Sequence, residues 1–197
     1  MKYNIITVGR EHGSGGRIIA KKLSERLDIP FYDKELIALA AEESGLSEQC
    51  VEEAEQKHTS GLLYSFYYDS RNLPIGDRVF LAQAEIIRRV AKEGPCVIVG
   101  RCADYVLQSR EDCLNTFVYA PMEERMRRLT EDYKSEHKDP RAYLTRYDKR
   151  RAAYYEFFTG NTWGDYRNYH LMVNSTIGLD EAADVIARMA QGGTAAR

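Results

Sequence analysis

The sequence feature that most constrains the fold is a glycine-rich turn between a short apolar segment and an amphipathic one. Residues 3–8 form a β-rich apolar run, which is typical of a buried strand. The turn follows at residues 9–16, and residues 17–27 then carry apolar side chains at the spacing of one helical face. In this order the free amides and the positive dipole end of a helix converge on one point. An anion site is therefore predicted at Gly13, Ser14, Gly15 and Gly16.

The turn, here called the glycine loop (residues 9–16), departs from the Walker A phosphate-binding pattern G-x-x-x-x-G-K-[ST]. Gly16 and Arg17 stand where the lysine and the Ser/Thr belong, and one extra residue lies between the outer glycines. In the absence of that lysine, a different positively charged side chain must bind the phosphate. Arg10 and Arg17 are the nearest in sequence, and arginine can bind a phosphate through two hydrogen bonds. His12 is a candidate proton donor, and a tight strand–helix turn with a solvated Arg17 is the alternative.

The rest of the chain alternates strands with helices, which predicts an α/β protein with a parallel sheet. Residues 58–77 have weak periodicity and indicate an irregular insertion. The chain has no internal repeat and no linker, so residues 1–197 are expected to form a single domain. Further strands are expected at 29–33, 95–100, 114–120 and 169–173, and helices at 34–44, 47–57, 78–93, 121–133, 139–158 and 180–191, with Pro121 at the first helical position.

Composition argues against several classes of protein. The chain has 28 basic and 30 acidic residues, and a net charge of −2 disfavours a generally basic, nucleic-acid-binding surface. No apolar run approaches the ~18 residues of a membrane span, and the first residues lack the pattern of a signal peptide. Four cysteines, none in a Cys-x-x-Cys pair, indicate reduced thiols rather than a zinc site. A cytoplasmic protein without nucleic-acid or membrane partners is therefore expected.

A basic, tyrosine-rich stretch is the second candidate functional feature. Residues 125–151 hold ten basic residues against five acidic ones, and six of the 14 tyrosines fall between residues 143 and 169. Arg146 and Arg150 lie one helical turn apart and share a face. Arginines beside aromatic rings suit the capture of a nucleotide or polyphosphate. A plain solvated helix remains the alternative.

Charged residues directly after predicted strands are the third feature. Open parallel sheets bind ligands at the carboxyl ends of their strands. Arg101 and Asp104 follow one predicted strand and are candidate ligand contacts, or else an ion pair that caps the next helix. Asp33 follows another predicted strand and is a candidate contact for a ribose, a base or a metal.

Taken together, these segments resemble the cytidylate kinase-like P-loop proteins, relatives of bacterial CMP kinase. The resemblance spans nearly the whole chain. It rests on residues 7–17, 30–33 and 97–104, on residues 118–121 with Arg125 and Arg128, and on Tyr154-Tyr155, Thr159-Gly160, Trp163-Gly164 and Asn174-Ser175.

The resemblance implies a three-layer α/β/α P-loop NTPase fold with a five-stranded parallel sheet and helical insertions. It implies transfer of the γ-phosphoryl group of ATP, with Mg²⁺, to a nucleoside monophosphate or similar acceptor. Residues 34–77 would form an acceptor-binding insertion and residues 139–165 a lid. The implied roles are phosphate binding for Arg10 and Gly13 to Gly16, acceptor binding for Asp33, Arg78, Arg101 and Asp104, and catalysis for Arg17, Arg146, Arg150 and Arg151.

Two departures from CMP kinase leave three functional hypotheses open. The Walker lysine is replaced by Gly16, and Lys-Glu-Leu-Ile follows Asp33 in place of the usual threonine, glycine and arginine. The chain is then a phosphotransferase, a non-catalytic nucleotide or phosphate binder that lost turnover with its lysine, or an interaction protein that keeps only the fold. The retained Arg101 and the arginines of the lid favour the first hypothesis over the third.

Overall fold

A computed structural model describes residues 1–33, 35–56 and 73–193 of the chain. Within this part, five strands form one parallel sheet in the order β2-β3-β1-β4-β5. Ile5 at the start of the central strand lies opposite Cys96 on one side and Cys113 on the other. The strands are β1 (Ile5–Arg10), β2 (Phe31–Tyr32), β3 (Cys96–Val99), β4 (Cys113–Tyr119) and β5 (Leu171–Asn174).

Helices cover both faces of the sheet because successive side chains of a strand point to opposite sides. Ile5 packs into a core with residues of α2, α3 and α4, whereas Ile6 and Val8 pack against α1 and α8. The expected three-layer α/β/α architecture is confirmed. The helices are α1 (Gly16–Leu27), α2 (Glu35–Ser44), α3 (Glu48–Gln56), α4 (Ile75–Glu93), α5 (Ala103–Val106), α6 (Met122–Glu131), α7 (Pro140–Thr159) and α8 (Leu179–Gln191).

Several boundaries differ from those expected. The helix predicted to begin at residue 78 begins at Ile75, directly after Pro74. Pro121 is the N-cap of α6 rather than its first residue, and its backbone is extended. Most of the irregular segment predicted at 58–77 lies outside the described residues, and the acceptor-binding role of residues 34–77 stays a prediction. None of the helices described is both long and apolar enough to cross a membrane.

The parallel arrangement places the carboxyl ends of β1, β2 and β3 side by side at one edge of the sheet. Arg10 ends β1, Asp33 follows β2, and Arg101 follows β3 by two residues. The glycine loop leads from β1 into α1 at this same edge. Three of the predicted site residues therefore meet because of strand order, although they are far apart in sequence.

Candidate functional site

The glycine loop ends in an uncapped helix N-terminus. Gly13 and Gly15 have φ values of +78° and +81°, which favour glycine at both positions. Gly15 is the N-cap of α1, and no side chain caps the helix. The first amides of a helix have no intrahelical acceptor. The loop thus keeps the amide groups and the dipole end on which the predicted anion site depends.

Three buried or half-buried arginines hold the carbonyl groups of the glycine loop. Arg151 Nη1 donates to the Arg10 carbonyl at 3.0 Å, and Arg125 Nε donates to the His12 carbonyl at 2.8 Å. Arg128 Nη1 donates to the Gly13 carbonyl at 3.2 Å. These bonds from α6 and α7 fix the loop and place positive charge beside it.

The supporting role of Arg125 and Arg128 was not predicted from the sequence, where both residues serve only as marks of a resemblance. Their counterions lie close by. Arg125 pairs with Asp148 and, at 3.3 Å, with Glu11, while Arg128 Nη2 donates to Glu124 at 2.8 Å. The available signal was their spacing of three residues, which places both arginines on one face of α6.

His12 is neutral near pH 7. Burial, followed by the positive charges of Arg151, Arg10, Arg125 and His137, lowers the pKa of His12 from 6.5 to about 4. The ring stacks on Tyr147 with 4.5 Å between centroids. At neutral pH His12 would therefore meet a phosphate as a neutral ring with one N–H donor, and its role as a proton donor stays a prediction.

We expect this shift to appear in the pH dependence of stability. Because the folded-state pKa of His12 lies below its ordinary value of 6.5, its contribution is complete above that pH and is lost as pH falls towards about 4. The full shift corresponds to roughly 3 kcal/mol, and partial exposure of the ring reduces this to about 2 kcal/mol. Urea unfolding near pH 7 and pH 4.5 should show His12→Gln losing about 2 kcal/mol less than the parent on acidification. If the parent and His12→Gln lose the same free energy of unfolding on acidification, the ring of His12 is not neutral and buried.

Asp33 is a buried carboxylate that faces three arginines. It accepts hydrogen bonds from Arg17 Nε at 2.5 Å and from Arg101 Nη1 at 3.0 Å, and Arg10 Nη2 lies 3.9 Å away. Burial alone would raise the pKa of Asp33, but Arg101, Arg10 and Arg17 together lower it. Asp33 is therefore ionised and engaged at neutral pH.

The sequence left an ion pair between Arg101 and Asp104 open as an alternative, and in the structure the two side chains contact different residues. Arg101 instead reaches across to Asp33, while Asp104 accepts a hydrogen bond from the Tyr155 hydroxyl at 2.7 Å. Burial raises the pKa of Asp104. The reason for the difference is that β2 and β3 are neighbours in the sheet, so their carboxyl ends lie closer together than sequence separation suggests.

The backbone after β3 is held in an uncommon conformation. Gly100, Arg101 and Cys102 have φ values of +70°, +53° and +53°, all in the left-handed region. Non-glycine residues rarely adopt it, at a cost of roughly 1–3 kcal/mol each, and such strain concentrates at functional sites. Here it turns the chain sharply and directs Arg101 back towards the sheet edge.

A cavity of about 210 Å³, here called the arginine pocket, opens beside the glycine loop at this edge of the sheet. Arginines and aromatic rings make up most of its wall, which suits a small anion with a flat or apolar body. Asp104 is the acidic residue of the lining. The pocket is lined by Gly9, Arg10, Gly100, Arg101, Cys102, Asp104, Tyr147, Arg150, Arg151, Tyr154, Tyr155, Trp163 and Tyr169.

The arginine pocket brings together five residues singled out in the sequence: Arg10, Arg101, Asp104, Arg150 and Arg151. Its lining does not include Asp33, the loop residues Gly13 to Gly16, or three other arginines. Arg17 is turned towards Asp33, the exposed Arg146 lies over the Tyr143 ring at 5.9 Å, and Arg78 lies on α4. The aromatic wall was not predicted residue by residue, although the clustering of tyrosines in this stretch was the signal for it.

A second cavity, the α6–α8 cavity, lies on the other side of the glycine loop and measures about 300 Å³. Its wall combines α6 with the turn that leads into α8. Leu179 and Arg128, which line it, also pack against Gly15 of the loop. The lining residues are Glu124, Arg127, Arg128, Asp132, Ser175, Thr176, Gly178 and Leu179.

The residues at the loop do not form a metal site. Arg17 stands at the Walker Ser/Thr position, and Ser14 Oγ donates to the Glu11 carbonyl at 2.9 Å. Within residues 1–33, 35–56 and 73–193, no group of three or more His, Cys, Asp or Glu side chains is arranged to hold a metal ion.

The strand order and the loop between β1 and α1 place the chain in the P-loop kinase class of folds. The shikimate kinase of Acinetobacter baumannii is similar, with a TM-score of 0.57 and 14% identity over 98% of this chain and 95% of that one. A gluconokinase from Sinorhizobium meliloti superposes with a TM-score of 0.56 and 18% identity, covering 95% of this chain and 94% of the other.

Within that class, the chain belongs to the cytidylate kinase-like family, whose model matches residues 5–177. An uncharacterised protein from Eubacterium ventriosum has a similar crystal structure, with a TM-score of 0.72 and 27% identity over 95% of this chain and 98% of that one. No curated protein shows significant sequence similarity to the chain.

Proposed function

We propose that this protein transfers the γ-phosphoryl group of ATP to a small phosphorylated acceptor, a nucleoside monophosphate of the CMP type. The observation that carries the proposal is the arginine pocket, whose lining includes Gly9 and Arg10 of the loop that leads into an uncapped helix N-terminus. The donor phosphates would bind the amides of the glycine loop, and the acceptor would lie in the arginine pocket. The donor base would occupy the α6–α8 cavity on the far side of the loop.

The lining of the arginine pocket supports a nucleotide acceptor. Arg101 and Arg150 supply cationic donors for a phosphate, and Tyr147, Tyr154 and Trp163 supply rings against which a base can pack. Asp104 has one carboxylate oxygen bonded to Tyr155. The other can accept from an amino or hydroxyl group of the acceptor.

A phosphate acceptor requires less of the residues at the end of β2 than a hydroxyl acceptor would. A hydroxyl acceptor needs a general base, whereas a phosphate oxygen is already ionised at neutral pH. Asp33, the carboxylate at the end of β2, has a lowered pKa because of its arginine neighbours and is a poor base. Transfer would then depend on positioning and charge neutralisation, which do most of the work in phosphoryl transfer.

The arginines of the proposed lid, residues 139–165, do not all face the arginine pocket. Arg150 lies over the Tyr147 ring at 5.7 Å within the arginine pocket, whereas Arg146 points to solvent one turn earlier. The middle of α7 is attached to the glycine loop, because Asp148 accepts from the His12 amide at 2.8 Å and Arg151 holds the Arg10 carbonyl. A closing motion would therefore involve the first half of α7. Mg²⁺ would enter bound to the ATP phosphates rather than to the protein.

The decisive experiment measures binding and transfer on the same panel of ligands. We expect ATP with Mg²⁺ and CMP each to raise the thermal unfolding midpoint, by an amount equivalent to about 2.7 kcal/mol at 100 times the dissociation constant. Labelled γ-phosphate should then move from ATP to the monophosphate. An unfolding midpoint that no nucleotide of the panel changes would overturn the proposal.

The second candidate, a non-catalytic nucleotide binder, is favoured by Gly16 at the Walker lysine position. It predicts thermal shifts with ATP and CMP but no label transfer above a protein-free control. The same panel therefore separates the two functions.

A further inference from the structure

Gly16 is a glycine because of space rather than backbone conformation. It is the first residue of α1 and does not adopt a positive φ. A Cβ atom added to it would lie 2.6 Å from Arg10 Cβ and 3.1 Å from Arg10 Cγ, with Val118 Cβ at 3.3 Å. Contacts this short force a neighbour to move. The stem of Arg10 thus occupies the space that a side chain at position 16 would need.

The far end of Arg10 reaches the arginine pocket. Its Nη1 atom occupies the space that a Cβ on Gly100 would take, and its Nη2 atom lies 3.9 Å from Asp33 Oδ1. Arg10 itself is part of the pocket lining. Its side chain therefore crosses from the first turn of α1 to the pocket, between the two places assigned to donor and acceptor.

The other nearby cation, Arg17, is directed elsewhere. Its Nε donates to Asp33 at 2.5 Å, its side chain is 59% exposed, and it does not line the arginine pocket. By sequence alone, Arg10 and Arg17 are equal candidates to replace the missing lysine. In the structure they differ, because Arg10 lines the arginine pocket and Arg17 does not.

We propose that Arg10, projecting from the end of β1, replaces the Walker lysine, and that Gly16 is a glycine because the Arg10 side chain crosses that position; it also crosses Gly100, where the positive φ already favours glycine. This assignment rests on the proposed function. During transfer the bond from the γ-phosphorus to the β–γ bridging oxygen breaks, and a bond from an acceptor phosphate oxygen forms. ADP leaves with the bridging oxygen, and Arg10 keeps its proton throughout while it offsets the charge on the transferred group.

The first arm of the test places a lysine at position 16 and removes the Arg10 side chain. Gly16→Lys alone should lower the thermal midpoint by roughly 5 °C or more, because the new stem meets Arg10. Arg10→Gly with Gly16→Lys removes the obstructing Cβ and should recover most of that loss. Arg10→Ala with Gly16→Lys is the matched control, because alanine retains the Cβ and should not recover it. Equal midpoints for the two double variants would overturn the steric half of the inference.

The second arm measures nucleotide affinity and turnover. Arg10→Ala should weaken ATP binding at least tenfold, weaken ADP binding less, and lower kcat about 100-fold. Arg17→Ala should change ATP affinity less than threefold, and Arg10→Gly with Gly16→Lys should regain ATP affinity. If the parent binds ATP and Arg10→Ala binds it equally well, the assignment fails and the proposed function stands. If the parent binds no ATP, the proposed function itself fails.

Discussion

Replacing Arg125 with methionine is expected to lower the free energy of unfolding by about 3–5 kcal/mol, the largest stability effect we foresee. The Arg125 side chain is 4% exposed and pairs with both Glu11 and Asp148. It also donates to the His12 carbonyl at 2.8 Å. Methionine fills a similar volume but leaves two carboxylates without their counterion and the His12 carbonyl without the Arg125 donor. Chemical unfolding at neutral pH measures the loss.

Arg127→Met is the matched control, two residues along the same helix. Arg127 pairs with Glu124 and Glu131 at 2.8 Å and 2.9 Å, but its side chain is 45% exposed. Exposed ion pairs contribute about 0–1 kcal/mol, so its removal should change stability by less than about 1 kcal/mol. Similar losses for the two variants would show that the bonds to the glycine loop do not distinguish Arg125 from a surface arginine.

Replacing Arg101 with alanine is expected to lower kcat/KM for the acceptor by about 100-fold or more, since removing one charge-assisted hydrogen bond at a desolvated site costs roughly 2–5 kcal/mol. Arg101 lies in the arginine pocket, nearly buried, and is held by Asp33 at 3.0 Å. Its strained backbone directs it there. Steady-state kinetics with varied monophosphate, and calorimetric titration with the same ligand, test the effect.

Two further variants keep this prediction interpretable. Arg101→Ala leaves Asp33 with Arg17 and Arg10 as partners, so Arg101→Ala combined with Asp33→Asn should lower acceptor affinity at least as much as Arg101→Ala alone. Arg88→Ala removes an exposed arginine from α4 and should behave as the parent. Parent-like kinetics in both Arg101 variants would show that the arginine pocket is not the acceptor site.

The order of strand, glycine loop and helix could be predicted from the sequence because it depends on local chemistry. Apolar residues repeat with different periods in strands and helices, and glycine and proline mark where they end. The first helix was expected from residue 17 and begins at Gly16, and the strand expected at 95–100 is Cys96–Val99. The helix expected from residue 78 begins earlier, at Ile75, because the pattern of its exposed first turn carries little periodicity.

In the candidate site, too, one part could be predicted from local sequence and another part could not. The uncapped helix N-terminus follows from neighbouring residues alone, and the structure has it where the sequence predicted it. The contacts made by the arginines could not be predicted. Arg101 pairs with a carboxylate 68 positions away, and Arg151 and Arg125 hold carbonyls of a loop more than 110 positions earlier.

Local sequence patterns thus predict the alternation of strands and helices and the position of the glycine loop, whereas the packing of the folded chain sets which cation each group faces. Arg10 and Arg17 are both near the turn of the glycine loop along the chain and both face Asp33, yet Arg10 crosses Gly16 to line the arginine pocket and Arg17 does not. The physical reason is that an ion pair depends on distance in space. That distance is set by the strand order β2-β3-β1, which no local pattern of residues specifies.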